Sequence, residues 1–128
     1  MAGTVTYVRE DIPGISRAKV GELITITCTG DSANGSFPAT TITGLRGFVL
    51  KVITKPGGVQ PTANYDIALY DPNATSLDAF GGALADRSAS SQEQKAPVLS
   101  GATGPVFLNG DYSLAITNNS VNSASITI

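Results

Sequence analysis

Ten acids and no histidine set the terms of any chemistry that this 128-residue chain can perform. Histidine is the usual general base near neutral pH and the commonest metal ligand, so Ser-His-Asp and Cys-His catalysis are excluded. Carboxylate-pair chemistry of the glycosidase kind needs two acids facing one cleft, about 5 to 10 Å apart. Here the acids stand singly, mainly at expected strand ends, where solvated turns explain them. Asp66 is the exception, placed mid-strand, and an ion pair with Lys51 or Arg87 is expected. Asp71, Asn73 and Thr75 fall on the first three ligand positions of a helix-loop-helix calcium site, but Ser76 replaces the required glycine and Gly82 the terminal glutamate. A Pro72-Asn73 turn after a strand ending at Asp71 is the expected reading. Gly14-Ile15-Ser16-Arg17-Ala18 has the outline of a nucleophile elbow without the preceding strand or a histidine to serve it. Gly57-Gly58, Gly81-Gly82 and Gly101-Ala102-Thr103-Gly104 lack the lysine or helix of a phosphate loop. Cys28 closes the run Leu23-Ile24-Thr25-Ile26-Thr27-Cys28 and reads as a buried, inert filler of a strand; alone it makes no disulfide or zinc site. No catalytic residue, metal or cofactor is therefore expected, and the chain is read as a non-enzyme.

Composition narrows the partners. A net charge of −2 with 8 Lys and Arg leaves no basic footprint for nucleic acid. No window reaches the 18 to 20 apolar residues that cross a bilayer, so no membrane partner is expected. Residues 1–11 carry neither a basic n-region nor an apolar h-region, and synthesis in a cytoplasm is the expectation. Charged residues make up only 14%, well below the roughly 25% of typical soluble domains, which leaves a hydroxyl-rich surface. The length suits one domain, 1–128, with a modest core.

The elements that would position these residues are strands. Apolar segments are short, β-branched and bounded by Gly, Pro, Asn or Asp, which places strands at 4–8, 23–29, 39–43, 48–54, 65–70, 106–108, 112–117 and 124–128, with a weak one at 86–90. About eight strands at this spacing predict an all-β, antiparallel β-sandwich of jelly-roll or Ig-like type. Alternation puts Tyr65, Ile67 and Leu69, Tyr112, Leu114 and Ile116, and Ala124, Ile126 and Ile128 on core faces. Phe48, Leu50 and Val52 are expected to share a core face of a central strand, apolar on both sides apart from Lys51. Lys55-Pro56-Gly57-Gly58 and Asn109-Gly110 read as reversals. Tyr112 has part of a tyrosine corner, although Leu108 stands where that motif has an acid. Glu10, Asp11, Arg17 and Lys19 flank a Pro13-Gly14 break, so residues 1–19 are expected to form an extended N-terminal arm. The 71–85 excursion has room for a helical turn at 76–80.

The segments Gly47-Phe48-Val49-Leu50-Lys51-Val52-Ile53-Thr54-Lys55-Pro56-Gly57-Gly58, Pro61-Thr62-Ala63-Asn64-Tyr65-Asp66-Ile67-Ala68-Leu69-Tyr70-Asp71 and Ala85-Asp86-Arg87-Ser88, with Gly110-Asp111-Tyr112-Ser113-Leu114-Ala115-Ile116-Thr117-Asn118 and the last strand, together resemble small β-sandwich structural proteins of tailed-bacteriophage virions. The likeness covers roughly residues 44–128. It implies a virion component, in first place a capsid decoration or cement protein on the head exterior, made in the bacterial cytoplasm, trimeric by preference and bound to the major capsid protein or another virion protein. Tail, fibre or head-tail junction proteins are the alternative within that resemblance, and a carbohydrate-binding adhesion module, using Tyr7 and Tyr70 as platforms, the alternative outside it. Contacts are expected from the arm, through Arg9, Glu10, Asp11, Arg17 and Lys19, from Tyr70 and the 71–85 loop after it, through Phe80, and from the 92–97 segment, through Gln92 and Glu93.

Overall fold

Runs of Thr, Val and Ile with two-residue alternation build eleven strands among the described residues, 1–14 and 19–128 of the computed structural model. Strands β1 (Thr4–Pro13) and β2 (Lys19–Thr29) form an antiparallel hairpin, in register from Thr4 opposite Thr29 to Ile12 opposite Gly21. The expected free arm is thus largely an edge strand, because Glu10 and Asp11 continue the ladder of β1 on β2, opposite Leu23 and Glu22. Arg17 lies outside the described residues.

The remaining strands are β3 (Thr40–Val49), β4 (Val52–Pro56), β5 (Asp66–Asp71), β6 (Ala74–Asp78), β7 (Glu93–Lys95), β8 (Val98–Leu99), β9 (Ala102–Thr103), β10 (Val106–Thr117) and β11 (Ser125–Thr127). Two sheets, ordered β1-β2-β11-β4-β7 and β3-β10-β5-β6, make the all-β sandwich, and β8-β9 is a separate small hairpin. The core between the sheets holds Ile26, Cys28, Ile42, Tyr65, Ile67, Leu69, Leu114, Ile116 and Ile126. The inward faces expected for β5, the second half of β10 and β11 are observed, except that Ile128 is half-buried.

The expected 48–54 strand does not exist as one element. Phe48 and Leu50 are 66% and 69% exposed, whereas Val49 and Val52 pack on the core. The parity changes upstream. Between Ile42 opposite Tyr112 and Leu45 opposite Gly110, β3 carries one more residue than β10. Such a bulge moves the following side chains to the other face. Gly44 takes φ +64° there, a left-handed conformation that a side chain would oppose. After Val49, Leu50 and Lys51 carry the chain from one sheet to the other, so β3 ends as an edge strand.

Four other expectations are corrected. Asn109-Gly110 lies inside the 12-residue β10, at its register shift, and reverses nothing. Residues 76–78 belong to β6 and not to a helical turn, and the Asp78 carboxylate explains the turn that follows. It accepts the amides of Leu69 at 2.9 Å, Phe80 at 3.0 Å and Gly82 at 2.9 Å. Residues 86–90 contribute only one bridge, Tyr65 with Arg87. The Lys55-Pro56-Gly57-Gly58 reversal is not observed, because the chain stays alongside β11 past the end of β4: Lys55 and Pro56 lie opposite Thr127 and Ile126, Gly57 donates to the Ser125 carbonyl at 2.7 Å and Ser125 to the Val59 carbonyl at 2.8 Å. Gly57 is required by this close approach, since a Cβ would lie 2.0 Å from Ser125 Oγ.

Candidate functional site

Strand β11 is short, and where it stops the five-stranded sheet has a gap. Ile26 and Ile128 exchange both backbone hydrogen bonds, at 2.8 and 2.9 Å. On the other side of β11, Gly57 donates to the Ser125 carbonyl at 2.7 Å, and the ladder closes with Thr127 opposite Lys55. Beyond that point β2 continues through Ile24 towards Lys19 and β4 through Ile53 to Val52, with no strand between them among the described residues.

The gap opens on a cleft of about 920 Å³ that reaches between the sheets. Its floor is apolar and comes from the opposite sheet and the core: Ile42, Leu45, Leu69, Phe80, Leu108 and Leu114. Its margin is cationic. Arg9, Arg46, Lys51 and Lys55 line it, half of the eight Lys and Arg in the chain, with Glu22 the one acid beside them among the described residues. Glu22 is ion-paired with Arg9, whose guanidinium also donates to the carbonyls of Thr43 and Gly44 and so latches β1 to β3. Lys51 Nζ reaches Gln94 Oε1 at 3.5 Å.

A second exposed feature lies on the outer face of the four-stranded sheet. Phe48 and Phe107 are register partners whose rings meet edge to face, centroids 5.2 Å apart, with 66% and 58% of their surfaces exposed. Leu50 follows two residues along.

The residues expected at interfaces are dispersed. Arg9 is engaged within the chain as above, and Glu10 and Asp11 are exposed along β1. Lys19 begins β2. Tyr70 is half-buried, and Phe80 is 6% exposed, a core residue unavailable to a partner. Gln92 is exposed, while Glu93 accepts the Ser88 amide at 2.9 Å and pairs with buried Arg87 at 3.1 Å. Asp66 does not pair with Lys51 or Arg87. It accepts the Asp86 amide at 2.8 Å and a hydrogen bond from the Asn118 side chain. The expected Asx turn is present, with the Asn73 amide donating to Asp71 at 2.7 Å. Tyr112 is buried, and its hydroxyl accepts the Asn109 amide at 3.2 Å, a tie to upstream backbone of the tyrosine-corner kind.

Among the described residues no group of three or more His, Cys, Asp or Glu side chains is placed to hold a metal ion. Cys28 is 1% exposed and burial pushes its thiol up to about 12. Of the two tyrosines considered as sugar platforms, Tyr7 is tied through its hydroxyl to Thr43, which holds its pKa below the usual phenol value. The cleft and the Phe48–Phe107 pair were both missed in the sequence. The available signal was the trio Arg46, Lys51 and Lys55, set at four- and five-residue intervals around an apolar run. Comparison with known proteins found no matching family model, no matching curated protein and no matching solved structure.

Proposed function

We propose that the protein is a non-enzymatic structural component of a tailed-bacteriophage virion, a decoration or cement protein that binds the exterior of the head shell as a trimer. The observation that carries this reading is the exposed Phe48–Phe107 pair on the outer face of the four-stranded sheet. Aromatic side chains of this kind are the usual anchors of protein interfaces, and a contiguous exposed apolar patch marks an interaction surface. A small footprint suffices when three copies dock together on a threefold point, because linked sites bind with much greater avidity than one.

The test combines light scattering of the purified protein with negative-stain imaging of its mixture with expanded capsids of the phage that encodes it. Trimers that coat the shell, and a Phe48→Ser/Phe107→Ser variant that folds but leaves it bare, support the reading. Monomers that leave the shell bare at micromolar concentration overturn it.

A further inference from the structure

We infer that Tyr65 and Arg87 hold an ordered water molecule inside the protein, which bridges the phenol hydroxyl and the guanidinium and ties the two sheets together on the β4–β7 side of the sandwich. Polar side chains converge there from four places in the chain. Tyr65, the residue before β5, faces Arg87 in an antiparallel bridge, with the Arg87 amide donating to the Tyr65 carbonyl at 2.7 Å. Thr54 of β4 faces Glu93 of β7 in the ladder between those strands. Register partners carry their side chains on the same face, and the 3.1 Å contact of Arg87 Nη1 with Glu93 Oε2 joins the two pairs. The cluster is interior: Tyr65 is 0%, Thr54 1% and Arg87 5% exposed.

Two buried atoms of the cluster have no hydrogen-bond partner in the protein, the Tyr65 hydroxyl and Arg87 Nη1. Nε and Nη2 of Arg87 both donate to the Ala85 carbonyl, at 3.1 and 2.7 Å, whereas Glu93 meets Nη1 as a counter-charge off the line of its N–H bonds. Buried polar atoms are nearly always bonded, to protein or to ordered water, because a bare one in the interior is costly. A guanidinium only donates, while a phenol donates and accepts. The bridging group must therefore accept from Arg87 and share one bond with Tyr65. Charge narrows the choice. Glu93 already neutralises Arg87, so an added anion would face the carboxylate and an added cation the guanidinium. Water is neutral, donates as well as accepts, and finds in Glu93 or Thr54 the third partner that buried waters commonly have. The phenol senses the same neighbours: burial raises its pKa, the Thr54 hydroxyl lowers it, Glu93 raises it and Arg87 lowers it. None of the four residues lines the cleft, and none belongs to the Phe48–Phe107 surface that carries the virion reading.

Two measurements on the full-length protein test this. Tyr65→Phe removes the hydroxyl and keeps the ring. A hydroxyl bonded to an internal water is missed, and the melting temperature should fall by about 2 to 6 °C. A hydroxyl without any partner is better removed, and the melting temperature would then hold or rise. High-resolution crystallography of the parent protein, which does not depend on the variant folding, should show an ordered water within about 3.2 Å of both Tyr65 Oη and Arg87 Nη1. In solution, water-selective NMR should find a long-lived water in contact with the Arg87 side-chain N–H protons. A Tyr65→Phe protein that melts at or above the parent temperature overturns the inference. So does a parent crystal structure in which the Tyr65 hydroxyl bonds Thr54 or Glu93 directly, or in which a chloride sits between Tyr65 and Arg87.

Discussion

The Gly44 amide donates a 2.8 Å hydrogen bond to the Asp111 carboxylate, across the one position where β3 carries an extra residue against β10. This bond holds the bulge that turns Leu45 inward and Phe48 outward. Gly44→Ala should destabilise the protein by about 1 to 2 kcal/mol through the left-handed backbone alone, because a Cβ there would meet nothing closer than Arg9 Nη1 at 3.7 Å. Asp111→Ala should cost about 1 kcal/mol and Asp111→Asn, which keeps the acceptor, less. Urea midpoints measure all three, and a Gly44→Ala protein as stable as the parent would refute the strain.

Core and surface positions should separate cleanly along β3, β5 and β10. Leu69, 3% exposed, should lose about 2 to 5 kcal/mol on Leu69→Ala. Phe48→Ser should lose no more than about 1.5 kcal/mol, the scale of its edge-to-face contact with Phe107. Chemical denaturation of the two variants side by side checks the assignment, and an equal loss would contradict it.

The contrast between those two residues also marks how far the sequence could be read. Tyr65, Ile67, Leu69, Leu114 and Ile116 sit on uninterrupted ladder segments, where strict alternation carries the face from one residue to the next. Phe48 and Leu50 come after the Gly44 bulge and beside the crossing at Leu50 and Lys51, and periodicity has no term for an extra residue. Asn109-Gly110 has turn chemistry but meets β3 across a register shift, where tertiary pairing overrides it. The cleft depends on where β11 stops beside β2 and β4, a relation among three strands far apart in the chain. What was visible of it was the clustering of cations around residues 46–55.

Cys28 and Tyr65 should make the protein progressively less stable in alkali. Burial pushes the folded Cys28 thiol up to about 12 and raises the Tyr65 phenol as well. As pH rises through the ordinary thiol range, the unfolded chain releases the proton that the folded chain keeps. The folded state then binds more protons, and unfolding becomes easier with each further pH unit until the folded thiol titrates. Cys28→Ala should flatten the slope of stability against pH between about 9 and 11 and leave a remainder from Tyr65. The folded protein should also fail to react with Ellman's reagent until denaturant is added; prompt reaction in buffer would show the thiol to be accessible.

Arg87 and Glu93 should respond asymmetrically to truncation. Arg87 is 5% exposed, gives two hydrogen bonds to the Ala85 carbonyl at 2.7 and 3.1 Å, and meets Glu93 Oε2 at 3.1 Å. Removing the acid by Glu93→Ala leaves a buried guanidinium without its counter-charge and the Ser88 amide without its acceptor. Removing the cation by Arg87→Met leaves a carboxylate that is 29% exposed, still bonded to Ser88 and able to take up water. A buried charge deprived of its partner costs more than an apolar side chain of similar volume in its place. Glu93→Ala should therefore cost about 1 to 3 kcal/mol, discounted for the exposure of the acid, and Arg87→Met distinctly less. Thermal melts of both variants decide it: the reverse order would mean that Arg87 holds the loop through Ala85 and that the ion pair adds little.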